Sequence, residues 1–157
     1  MKTWSVILAA AVVAAASYSV IQAATGKEWT TSYKQALATS KQTGKPIMAD
    51  FTGSDWCGYC IKQDQEVFST KQFKEWAAKN VVPLTLDFPH GKKLPADLQK
   101  QNEELKAKFR PNGFPTLVFI DASGNEIGRA GGYSPGSGFD AWKQRMEGVL
   151  KKGSSGQ

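Results

Sequence analysis

A chain of 157 residues with two cysteines and a formal net charge of +6 is long enough to bury a core of its own, so neither several domains nor a disulfide framework is implied. Its surplus lysines are spread over helix faces, with small clusters only at Lys92-Lys93 and Lys151-Lys152. That pattern reads as a solvated surface and argues against a nucleic-acid-binding stripe.

The first segment stands apart from the domain. Lys2 gives a positive start, Val6 to Ala16 is a nearly pure apolar run, and Ile21-Gln22-Ala23 ends on a small residue suited to signal-peptidase cleavage. Residues 1–23 are therefore expected to be a secretory signal, which places the protein in the periplasm or another extracytoplasmic compartment. An uncleaved membrane anchor is the alternative, because small and apolar residues continue to Ala24. The alanine-rich run favours removal.

Residues 24–44 are expected to form an N-terminal helical extension. Trp29, Tyr33, Ala36, Leu37 and Ser40 recur at helical spacing, Thr30 or Thr31 supplies a cap, and Gly44 and Pro46 end the pattern. PIMADFTG (46–53) reads as a buried strand closed by a glycine. From Cys57 to Lys79 the pattern is helical, with Val67, Phe68, Phe73, Trp76 and Ala77 apolar and a kink or restart at Ser69-Thr70, capped by Ser69. VVPLTLDF (81–88) is a second strand, for which Pro83 argues an irregular or edge position.

PHGKKLP (89–95) is a polar loop, and residues 96–109 form a helix with Leu98, Leu105 and Phe109 turned inward. FPTLVFID (114–121) and EIGRA (126–130) are two strands joined by a turn at DASGN. GGYSPGSG (131–138) is a loop, read as a mobile rim. Phe139, Trp142, Met146, Val149 and Leu150 make the inner stripe of a last helix, and residues 153–157 form a polar, flexible tail. The order is a helix followed by β-α-β-α-β-β-α. This is an α/β fold in which a parallel βαβ unit and a terminal hairpin share one sheet, with helices on both faces.

The two cysteines, Cys57 and Cys60, lie within SDWCGYCIKQ (54–63). A structural bridge over so short a ring removes only about 2 kcal/mol of unfolded-chain entropy, against about 3 for a fifteen-residue loop. Structural zinc needs four ligands, and the chain adds only one histidine, His90. Capture of a soft metal such as copper(I) by two thiolates stays open. Covalent haem attachment requires a histidine after the second cysteine, and Ile61 stands there.

Redox chemistry accounts for the placement. The pair follows a strand and opens a helix, so Cys57 meets unpaired backbone N–H groups and the positive end of the helix dipole. Its thiolate forms there at a lower pH than a free cysteine's, and the thiolate is the nucleophile of disulfide exchange. Cys57 is thus expected to be the exposed, acidic thiol. Cys60, one turn further in, is expected to be the buried thiol that resolves a mixed disulfide. Trp56 is either a flat apolar wall beside the sulfur or a core tryptophan.

These features resemble the thioredoxin superfamily: the strand IMADF, WCGYC opening a helix, and GFPT (113–116) before a late strand. The resemblance covers residues 45–152 and is closest to an exported thioredoxin-like group with a GSDWC-type approach and an extra N-terminal helix. It implies a thioredoxin-like fold with a mixed central sheet and a thiol–disulfide oxidoreductase whose redox-active disulfide joins Cys57 and Cys60. It also implies a cis bond at Phe114-Pro115, with Trp56, Phe114 and Pro115 binding substrate, and no cofactor or metal. Asp50 corresponds to the family's buried aspartate, which assists proton transfer from the second cysteine.

Two departures bear on this. One extra residue separates Asp50 from the cysteines, so a solvated or hydrogen-bonded aspartate is the alternative. Gly58-Tyr59 replaces the Gly-Pro typical of thioredoxin. Gly-Tyr also occurs in periplasmic disulfide isomerases, but those carry a threonine where Phe114 stands, and a dimerisation domain. The partners implied are protein disulfides and a reducing partner such as a membrane thiol carrier. Contact with the membrane is expected only if the N-terminal segment is retained. A non-catalytic binding module that captures a metal or a partner's cysteine competes with this reading, as does a disulfide isomerase or oxidase.

Overall fold

The computed structural model describes residues 29–154, so the expected signal segment lies outside the described residues. The elements are α1 (Tyr33–Thr43), β1 (Ile47–Thr52), α2 (Gly58–Gln63), α3 (Lys71–Asn80), β2 (Val82–Asp87), α4 (Ala96–Phe109), β3 (Thr116–Ile120), β4 (Glu126–Gly131) and α5 (Gly138–Ser154). A π-helical segment, Asp64–Phe68, continues α2.

The strands form one mixed sheet in the order β2-β1-β3-β4. β1 runs parallel to β2 and antiparallel to β3, which pairs antiparallel with β4. All six residues of β1 are buried, as a central strand covered on both faces requires. Alternation then divides the core. Met48, Leu117 and Phe119 join Phe68, Phe73, Trp76, Trp142 and Met146 from the side of α3 and α5. Ile47, Ala49, Phe51, Val118 and Ile120 join Ala36, Leu105 and Phe109 from α1 and α4 on the other side.

Three local expectations are corrected. Ser32, not Thr30 or Thr31, caps α1, its side chain accepting the Gln35 N–H at 3.2 Å. Thr30 is instead an extension of the sheet: its N–H donates to the Pro83 carbonyl at 3.1 Å and its carbonyl accepts the Thr85 N–H at 2.9 Å. Proline on β2 is tolerated because β2 is the edge strand and Pro83 faces outward from β1, toward Thr30, so no ladder bond to β1 needs the N–H it lacks. Second, the restart expected at Ser69-Thr70 is present, but Thr70 and not Ser69 caps it: the Thr70 Oγ accepts the Phe73 N–H, while Ser69 donates to Asp64. Third, Leu98 is only half-buried. The inward place belongs to Asn102, which donates to the Asp87 carbonyl at 3.0 Å.

Candidate active site

β1 ends at Thr52, and the chain crosses Gly53 to Trp56 before Cys57 caps α2. The Gly53 carbonyl accepts the N–H groups of both Trp56 and Cys57, which closes a tight turn. Gly53 is required there for a second reason. A side chain's first carbon at this position would lie 2.4 Å from Trp56 Cε2, so the indole packs where only glycine leaves room.

Cys57 and Cys60 are joined by a disulfide, with their Cα atoms 5.2 Å apart. Cys57 Sγ also accepts the Cys60 N–H at 3.2 Å. The first sulfur therefore occupies the position at which a helix start stabilises an anion. The expectation of an exposed Cys57 beside a buried Cys60 is corrected for this bridged form: they are 6% and 4% exposed. Joining the sulfurs turns a face of each toward the other. What is exposed is the pair's surroundings, since Trp56 at 44% and Tyr59 at 59% are the exposed large apolar side chains of the described residues.

Trp56 is thus a surface platform and not a core residue. Its Nε1–H donates to the Phe88 carbonyl at 2.8 Å, and its ring lies parallel to that of His90 with centroids 4.5 Å apart. Phe114 stands 5.9 Å from it and stacks on Phe88 at 5.3 Å. The Phe114-Pro115 bond is cis, and Pro115 is buried at the start of β3.

The segment after β2 was expected to be an ordinary polar loop, yet the three residues before Cys57 hold it and the end of β2. Ser54 donates twice to the Asp87 carboxylate, through its N–H at 2.9 Å and its hydroxyl at 2.7 Å. Asp55 accepts the N–H groups of His90 at 3.0 Å and Gly91 at 2.6 Å. Those two backbone bonds, led by that from His90, hold the Asp55 carboxyl below its ordinary range. Lys92 pairs with Asp87 at 3.3 Å. Nothing in the spacing of PHGKKLP announces this, because the contacts made by Ser54, Asp55 and Trp56 each span more than thirty residues.

Asp50 sits at the middle of β1, opposite Thr85 and Leu117. It is buried, and its Oδ1 has no hydrogen-bond partner. Burial, reinforced by the charges of Asp64 and Asp87, pushes its carboxyl up to about 8. It is consequently an acid that holds its proton at neutral pH. Gln63, three residues beyond Cys60 on the inward face of α2, is also buried with its Oε1 unpartnered. A lone glutamine in a helix gave no signal of this.

Three comparisons bear on the family. The thioredoxin-like domain family matches over residues 33–147. A disulfide bond reductase, DsbH of Chlamydia pneumoniae, is 41% identical over 129 residues, covering 82% of this chain and 76% of that protein. A solved structure of a DsbH oxidoreductase superposes with a TM-score of 0.72 at 41% identity, covering 79% of this chain and 84% of the other. The thiol:disulfide interchange protein DsbD of Yersinia enterocolitica is 37% identical over 109 residues, 66% of this chain but only 16% of that much longer protein.

Proposed function

The chain belongs to the thioredoxin-like domain family, and we propose that within it the protein is an exported thiol–disulfide oxidoreductase that reduces or interchanges disulfides of other proteins. The observation that carries this is the cysteine pair at a helix start, joined as a disulfide beside an exposed aromatic platform. The similarity to a disulfide bond reductase over most of both chains supports the reductive direction. Export rests on the N-terminal sequence, with its positive start, apolar run and small residue at 23.

In the reduced form the Cys57 thiolate attacks one sulfur of a substrate disulfide. A Cys57–substrate disulfide forms and the other substrate sulfur leaves as a thiolate. Cys60 then loses its proton and attacks Cys57 Sγ, which releases the second substrate thiol and leaves the Cys57–Cys60 disulfide. Two electrons pass from the pair to the substrate, so a dithiol reductant, such as a membrane thiol carrier, must restore them. Asp50 is assigned to proton transfer at Cys60, and Trp56, Phe114 and Pro115 to the docking edge.

The direction of flow follows from charge. A strong oxidase stabilises its reduced form through a very acidic thiolate. Here Gly58 and Tyr59 carry no charge, and Asp55 stays negative just before the pair. The Lys62 charge acts on Glu66, further along the helix. Equilibration with glutathione buffers should give a potential nearer thioredoxin's, about −270 mV, than the about −120 mV of a strong oxidase. A value more oxidising than about −150 mV would replace the reductase reading with an oxidase one. After reduction, alkylation at mildly acidic pH should label Cys57 first, because only its sulfur caps the helix. Preferential labelling of Cys60 would reverse the two roles.

A further inference from the structure

The loop 131–138 follows β4 and carries glycines at 131, 132, 136 and 138, three of them with positive φ. Such a stretch has little conformational preference of its own, and the sequence suggested a mobile rim. The structure ties it down at both ends. At its start the Gly132 N–H donates to the Pro115 carbonyl at 2.8 Å, and Arg145 donates to the carbonyls of Gly131 and Gly132. Further along, Tyr133 is buried in the core with Val67 and Phe68, and its hydroxyl donates to Glu66 at 2.6 Å. The Gly136 N–H donates to the same Glu66 oxygen at 2.7 Å.

Glu66 lies in the π-helical segment that continues the cysteine helix. A π-turn inserts one residue into a helix and re-aims the side chains on it, and such turns are common at functional sites. The bonds therefore make a continuous path from the cysteine-bearing helix through Glu66, Tyr133 and Gly132 to the Pro115 carbonyl. The Tyr133 hydroxyl and the Gly136 N–H hold the Glu66 carboxyl below its ordinary range, which keeps it the charged acceptor that this path needs.

We infer that Glu66, with Tyr133, is a positioning residue that fixes the Phe114-Pro115 segment relative to the cysteine helix, and so sets the gap into which a substrate polypeptide docks. This rests on the oxidoreductase reading above. A docking gap held to well under 1 Å matters because small misplacements of reacting groups carry large rate penalties. A disulfide too small to span the gap does not feel its width.

The test compares two substrates: insulin with dithiothreitol as the reductant, and dithiobis-nitrobenzoate in a single turnover of the pre-reduced protein freed of dithiothreitol, which would reduce that reagent directly. Glu66→Ala and Tyr133→Phe should each raise KM for insulin about tenfold, the size of one lost charge-assisted hydrogen bond. Turnover of dithiobis-nitrobenzoate and the potential of the cysteine pair should stay unchanged. Glu66→Gln keeps an acceptor oxygen and should restore most of the insulin KM. Tyr133→Phe keeps the ring in the core, so it answers the question even where Glu66→Ala folds poorly. A lowered Tm with insulin KM unchanged would overturn the inference, as would equal losses on both substrates. Wild-type protein inactive on both would overturn the oxidoreductase reading, a result distinct from these.

Discussion

Cys57→Ser is expected to abolish turnover of protein disulfides, whereas Cys60→Ser is expected to halt the reaction halfway and leave substrate attached. The two effects differ because the two sulfurs act in sequence. A serine at 57 removes the only atom that can open the substrate disulfide, and the loss should be on the order of 10³-fold or more, the scale of removing a covalent nucleophile. A serine at 60 leaves attack by Cys57 intact, and the helix start that stabilises its thiolate is unchanged. The mixed disulfide then has no internal thiol to resolve it and persists until an external thiol arrives. Non-reducing gels after incubation with a disulfide-bonded protein read this directly. Adducts formed by Cys57→Ser and absent from Cys60→Ser would contradict the order of events. A non-catalytic module that merely captures a partner's cysteine would bind without turning over, so insulin reduction by the wild type separates that alternative.

The parts of this site that could be read from the sequence are those encoded by neighbours along the chain. A strand, a glycine turn and a cysteine pair at a helix start are local, and each was expected within one or two residues of its place. The helix 96–109 is recovered with its bounds unchanged, and every strand is found a residue or so inside its expected limits or beyond. What could not be read depends on contacts far apart in sequence. Asp55 and His90 are brought together only because β2 lies beside β1 and delivers the following loop to the turn before Cys57. Glu66 and Tyr133 meet across 67 residues, and glycine-rich composition pointed the opposite way, to a free rim. The π-turn was equally hidden. The break at Ser69-Thr70 was legible, but Val67, Phe68 and Phe73 satisfy a plain helical stripe, so nothing pointed to the π-helical segment before it. Asp50 was noticed by its place on the strand, but its burial with an unpaired oxygen is a property of three-dimensional packing.

Asp50→Asn is expected to make the disulfide-bonded protein markedly more stable at pH 7 and above, and no more stable near pH 4. The folded protein holds this carboxyl protonated up to about 8, whereas in the unfolded chain it ionises near 3.8. Because the folded-state value is the higher one, the stability this group permits is fully present below the unfolded value. It then declines as the pH climbs toward 8 and is flat beyond. At pH 7 the unfolded chain has gained the ionisation that the fold suppresses. With 1.36 kcal/mol per pH unit over the span from 3.8, this disfavours folding by about 4 kcal/mol. Asparagine cannot ionise, so the variant escapes that penalty and retains a similar shape. Since about 1 kcal/mol moves the midpoint of a domain this size by roughly 4 °C, the wild type should melt on the order of 20 °C below the variant at pH 8. Denaturant titrations at pH 4, 6 and 8 would trace the difference. A stability gap that is the same at all three values would show that Asp50 does not titrate within the fold. The same substitution should also slow release of the mixed disulfide at pH 8 and above, where Asp50 has given up its own proton and can take that of Cys60, and should change it little at pH 6. A variant that is more stable and yet resolves substrate more slowly is the result expected of a buried acid kept for chemistry at the expense of the fold.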